Sequence, residues 1–211
     1  MRIIPQLLKR KYCTLFSVFF ISLSLVTVPY VYGKSEEAKK VEITMEEFLT
    51  KCNDLSVNIK EVEKIYQRYI KVLKEYNKSH ILYEKKYFKN IKKNYYKYIS
   101  KKEQKELERV TKNHVLALRT EGKLFKELSN VTYKLAQAKR IKSPNAKDKI
   151  KKAEKNFDTV LYNKYSSMLT KLSLAIDEYN KVYDDIITKN MKEILRKKFN
   201  NKNNINKQIM K

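Results

Sequence analysis

From Phe48 onward, Phe48, Cys52, Leu55, Ile59, Val62, Tyr66, Tyr69, Leu73, Tyr76, His80, Tyr83 and Tyr87 follow one another at alternating steps of four and three. An α-helix returns to the same face about every 3.6 residues, so this spacing draws one continuous seam along a helix. A seam of that length cannot face water and must lie lengthwise against other helices. Leu49, Ile65, Ile70 and Val72 widen the stripe beyond two positions per heptad. Such a stripe suits a bundle of three or more helices better than a two-stranded coil. Only 2 glycines and 3 prolines punctuate the 211 residues, so turns are few and elements long.

The pattern predicts an all-α fold, an elongated antiparallel helical bundle or coiled coil of three long helices over 44–99, 101–142 and 144–198. Thr44 with Glu47, and Ser100 with Glu103, have the spacing of capping boxes. Residues 34–43 read as a polar lead, and Asn77-Lys78-Ser79 as helical because the seam keeps its phase through them. The second helix continues the ladder from Leu107 to Ala138. Glu121 interrupts it, and Gly122 weakens the helix there by roughly 1 kcal/mol relative to Ala. Ser143-Pro144 marks the third start, with serine as N-cap and proline in the first turn. In that helix Ala153, Phe157, Leu161 and Tyr165 are spaced 4-4-4, a stutter that locally relaxes a left-handed supercoil. Residues 199–211 lose the pattern and are expected to form a disordered basic tail.

Arg2, Lys9, Arg10 and Lys11 precede an uncharged run from Tyr12 to Gly33, interrupted by Pro29. This is the layout of a secretory signal peptide ending near Gly33. The run is also long enough for an uncleaved N-terminal anchor. Either reading places residues 34–211 in an extracytoplasmic compartment: periplasm, cell surface or medium.

The formal net charge is +25, and removing residues 1–33 takes away four positive charges and no acid, leaving +21. An anionic partner is one explanation. Coding bias is the other, since Lys, Asn, Ile and Tyr are all abundant. Arg occurs only at positions 2, 10, 68, 109, 119, 140 and 196. Recognition of phosphates and bases favours the forked guanidinium, and export removes the chain from cytoplasmic nucleic acid; both argue against a nucleic-acid partner. The membrane enters only through the N-terminal segment or weak electrostatics.

Catalytic patterns are missing from the chain. His80 and His114 fall on different predicted helices and on packing seams, and the sequence holds no HxxxH, CxxC, GxSxG or phosphate-cradling glycine loop. The acidic pairs read as helix surface, and no pocket is evident that would raise a carboxylate pKa for acid–base work. No enzyme activity, metal or cofactor is expected. One stretch stands out: residues 85–102 contain no acid, and a helix clusters Lys85, Lys89, Lys92, Lys93 and Lys97 around a broad face with Tyr96 close by. That is a candidate patch for an anion or a partner, lysine giving charge and tyrosine stacking or anchoring; the alternative is a solvated face. Cys52 is the one cysteine beyond the leader, read either as a small buried apolar residue or as an intermolecular disulfide between two copies.

The functional expectation is an exported, non-enzymatic helical-bundle protein mediating macromolecular interaction at the cell surface or envelope, adhesin-like or structural. Its partner is a protein or an anionic envelope or surface polymer, with homo-oligomerisation open. Two alternatives are a periplasmic holdase-type chaperone with a basic helical cavity and a membrane-anchored structural spacer.

Overall fold

The computed structural model describes residues 36–188, 190, 191, 195 and 196. The expected signal or anchor at 1–33, the tail at 199–211 and most of 189–198 lie outside the described residues. All described elements are helical: α1 Glu36–Asn53, α2 Ile59–Tyr95 with a 3-10 turn Tyr96–Tyr98, α3 Lys101–Arg140, α4 Ala146–Asp158, a π turn Thr159–Tyr165, α5 Ser166–Tyr183 and a π turn Asp184–Thr188. Thr159, Ser166 and Asp184 keep α-helical dihedrals. The run from α4 onward is therefore one rod, the fourth.

Among the described residues four helices replace the expected three, because the first seam is cut at 54–58. Asp54 Oδ1 accepts from the Ser56 amide at 3.0 Å and from its hydroxyl at 2.6 Å. Asn58 then N-caps α2, its Oδ1 accepting from the Lys60 amide at 2.9 Å. Short polar side chains offer the backbone local partners that compete with the helical ladder. Leu55, in phase on paper, is consequently 60% exposed. The chain reverses there, and the ion pairs Lys51–Glu61 (2.9 Å) and Glu47–Arg68 mark α1 and α2 as antiparallel. The Thr44 start is likewise corrected. The polar lead is helical from Glu36, and the Thr44 hydroxyl donates back to the Lys40 carbonyl at 2.8 Å as a mid-helix threonine does.

Ser100 does cap α3: its Oγ accepts from the Glu103 amide at 3.2 Å while Glu103 Oε2 accepts from the Ser100 amide at 2.7 Å. The fourth rod starts later than expected, at Ala146. The Ala146 amide donates to the Ser143 carbonyl at 3.0 Å, closing a turn with Pro144 at its second position, where the fixed φ of proline fits. At the 4-4-4 stretch the chain forms the π turn Thr159–Tyr165, and Phe157, Leu161 and Tyr165 are all buried. A π turn takes an extra residue per turn. This cancels the drift that steps of four would accumulate in a pure α-helix.

Successive rods pack antiparallel. Tyr66 stacks on Tyr133 (ring centroids 4.8 Å apart) near one end of α2, and Lys92 meets Glu108 at 2.5 Å near the other. On the other side of α3, Phe125 faces Tyr165, and Arg109 pairs with Glu178 at 2.6 Å. The largest apolar cluster sits at the α1 end, around Phe48, Tyr69, Leu128 and Phe157. A second occupies the opposite end, around Ile91, Leu107 and Ile186. Between them lies a small patch of Ala117, Leu118, Leu172 and Ile176.

Candidate functional site

The lysine patch occupies the last turns of α2 and the 3-10 turn, the end of the molecule opposite α1. Lys85, Lys89 and Lys93 recur every four residues, so one exposed face carries all three. None has an ion-pair partner among the described residues. Lys92 is engaged: its ammonium meets Glu108 and lies 5.1 Å from the Phe88 ring centre and 5.4 Å from that of Tyr96. Lys97 lies beyond the α-helix, 5.0 Å from the Tyr98 ring centre.

Tyr96 is not a free platform. Its hydroxyl donates to the Gln104 carbonyl at 3.2 Å, and Gln104 Nε2 donates to the Tyr96 carbonyl at 2.8 Å and to that of Ile99 at 3.2 Å. Its ring is half-buried edge-on to Phe88. Burial, with the Glu108 charge beside it, pushes its phenol above the usual range. Tyr96 thus clamps the α2–α3 turn and sets the orientation of the lysine face.

Cys52 is 1% exposed in the α1-end cluster, and burial pushes its thiol up to about 12. A disulfide to a second copy would require this end of α1 to open. Arg140, the last residue of α3, closes it. Its Nε donates to the Val57 carbonyl at 3.0 Å, Nη1 to Cys52 at 3.3 Å, and Nη2 to Lys51 at 2.9 Å and to Asp54 at 2.6 Å. These carbonyls belong to the unpaired C-terminus of α1 and the turn after it, where a cation is favoured.

At the waist, between the two large apolar clusters, the core turns polar. Glu84 accepts from the Tyr179 hydroxyl at 3.3 Å, and His80 Nε2 lies 4.0 Å from Glu84. The His114 ring stacks on Tyr179 with centroids 4.5 Å apart. Asn77 lies against Gly122, where a Cβ would stand 2.4 Å from its Nδ2. His114 is fully buried with neither ring nitrogen hydrogen-bonded, and Glu121, 6% exposed, has Oε1 unpartnered.

Burial sets the protonation of this band. It pushes Glu121 up to about 8 and Glu84 upward too, the latter opposed by the Tyr179 hydrogen bond. His114 falls to about 4 through burial and then the nearby His80, itself lowered by burial. A buried setting that raises a carboxylate pKa, not evident in the sequence, is thus present at Glu121. The helical phase that made Glu121 look like an interruption turns it inward. Near neutrality the band holds a largely protonated Glu121 and neutral imidazoles. Among the described residues no three His, Cys, Asp or Glu side chains are placed to hold a metal ion, and no helix is long and apolar enough to cross a membrane.

Compared with known proteins, the chain matches no family model, no curated protein and no solved structure.

Proposed function

We propose that this chain is an exported, non-enzymatic, elongated antiparallel helical bundle that binds an acidic protein face or an anionic surface polymer through its lysine-rich end. The observation behind this reading is the exposed face of Lys85, Lys89 and Lys93, without an acidic partner among the described residues, in a stretch of 18 residues lacking any acid. A dense patch of one sign raises the encounter rate with an opposite surface more than the same charge spread along a rod. Rigidity adds to this, because the Tyr96–Gln104 clamp fixes the face on a packed helix end. Export rests on the basic residues and uncharged run of 1–33.

The test uses two triple variants of equal net charge. Lys85→Glu/Lys89→Glu/Lys93→Glu reverses the tip, and Lys60→Glu/Lys71→Glu/Lys74→Glu reverses exposed α2 lysines elsewhere. On an immobilised polyanion such as dextran sulfate, the tip variant should elute at clearly lower salt than its control. Co-elution of the two would show that the charge acts only in bulk and would remove the tip as a site. Surface labelling of intact cells tests export, and a product confined to the cytoplasm would end that part of the reading. Intact mass distinguishes a cleaved signal from a retained anchor.

A further inference from the structure

A groove of about 470 Å³ lies between the C-terminal half of α3 and α4 with the first π turn, at the end remote from the lysine tip. Its apolar lining is Val131, Ala138 and Ile141 from α3 with its C-cap, and Ala153 and Val160 from the fourth rod. The hollow has a local cause: alanine stands at two lining positions, one on each helix, where a larger aliphatic side chain would fill the space. Its α3 wall runs from Glu127 to Ile141, about 21 Å of helix. The volume is within the range of about 300–1,000 Å³ typical of small-ligand sites.

The rim is cationic. Lys134, Lys149, Lys152 and Lys164 line it, against a single acid, Glu127. Glu127 is already engaged by Lys164 at 2.5 Å. The other three lysines have no acidic partner among the described residues, although their stems flank an apolar floor. With Gln137, Asn156 and Thr159 also on the lining, apolar side chains running along the groove beside ammonium groups without acidic partners suit a single alkyl chain with an anionic head.

We propose that this groove binds a long-chain fatty acid, the alkyl chain along Val131, Ala138, Ala153 and Val160 and the carboxylate at Lys149 and Lys152. The site is separate from the lysine tip and does not depend on that reading.

The experiment titrates the full chain with cis-parinarate, whose fluorescence rises in an apolar site, followed by displacement. Saturable one-to-one binding, displacement by palmitate, and displacement by decanoate at least tenfold better than by decanol are expected. Lys149→Glu/Lys152→Glu, a surface change that leaves the packing alone, should weaken binding at least tenfold. Ala153→Leu should abolish it with the helical circular dichroism unchanged. The tip variant Lys85→Glu/Lys89→Glu/Lys93→Glu should bind as the parent does. The absence of saturable binding would overturn the proposal, as would decanol matching decanoate or binding that survives both groove variants. Sedimentation showing a dimer that Ala153→Leu disperses would also overturn it, since a second copy would then be the occupant.

Discussion

Arg140→Ala should loosen the whole α1 end of the molecule. The guanidinium donates to four carbonyls of another element, at Lys51, Cys52, Asp54 and Val57. A hydrogen bond from a charged donor contributes about 1.5–3 kcal/mol net when well buried. Here the bonds to Lys51, Cys52 and Val57 are part-buried and the one to Asp54 is exposed, so water reclaims some of what is lost. Taking about 1 kcal/mol for each part-buried bond and little for the exposed one gives a loss of about 3 kcal/mol. That is about a hundredfold in the unfolding equilibrium, and at a urea m-value of about 2–3 kcal/mol/M a midpoint lower by about 1–1.5 M. Arg140→Lys keeps the charge but cannot fork across four acceptors, and should recover less than half. Urea melts followed by circular dichroism measure both. The Cys52 thiol gives a local readout, because burial suppresses both its access and its ionisation. Its labelling rate should rise in Arg140→Ala well below the unfolding midpoint. A loss under about 1 kcal/mol, or a lysine variant as stable as the parent, would refute the view that the guanidinium fork holds the α1 terminus.

Stability should also depend on pH through the waist. Glu121 is raised to about 8 from 4.5, so its protonated form is favoured in the fold and stability falls as pH climbs from 4.5 to 8. His114 is depressed to about 4 from 6.5, so stability falls as pH drops from 6.5 to 4. Melting temperature should therefore plateau between about 4.5 and 6.5. Glu121→Gln should raise it more at pH 8 than at pH 5, and His114→Phe more at pH 4 than at pH 7; equal shifts at both pH values would contradict the assignment. Gly122→Ala should raise the melting temperature less than helix propensity alone gives, because the Asn77 side-chain amide must swing away from the new Cβ. In an Asn77→Ala background the same change should raise it more, and a double-mutant cycle separates clash from propensity. Ser100→Ala removes one half of the capping box and should cost about 1 kcal/mol in a urea melt.

What could be read from the sequence was whatever depends on neighbours within one helical turn. The all-helical class, the Ser100–Glu103 cap and the inward stripe of α3 follow from 3-4 spacing and i to i+3 side-chain geometry. The stutter at Ala153–Tyr165 was visible too, although spacing alone did not distinguish a relaxed supercoil from the π turn that formed. The break at 54–58 was missed because Leu55 and Ile59 kept the phase while Asp54 and Asn58 acted through their side chains on the backbone. Thr44 misled for the same reason in reverse, as a capping pattern carried by a residue inside a helix. Of the lysine patch, the common face of Lys85, Lys89 and Lys93 was legible; the place of Lys97 beyond the α-helix and the tethering of Tyr96 by Gln104 and of Lys92 by Glu108 were not, the last two because their partners come from the next helix. The protonation of Glu121 and the reach of Arg140 across more than eighty residues were decided only by packing. Periodicity tells a side chain which way to point, but desolvation and long-range hydrogen bonds depend on what another helix brings to meet it, and that is fixed only once the rods have docked.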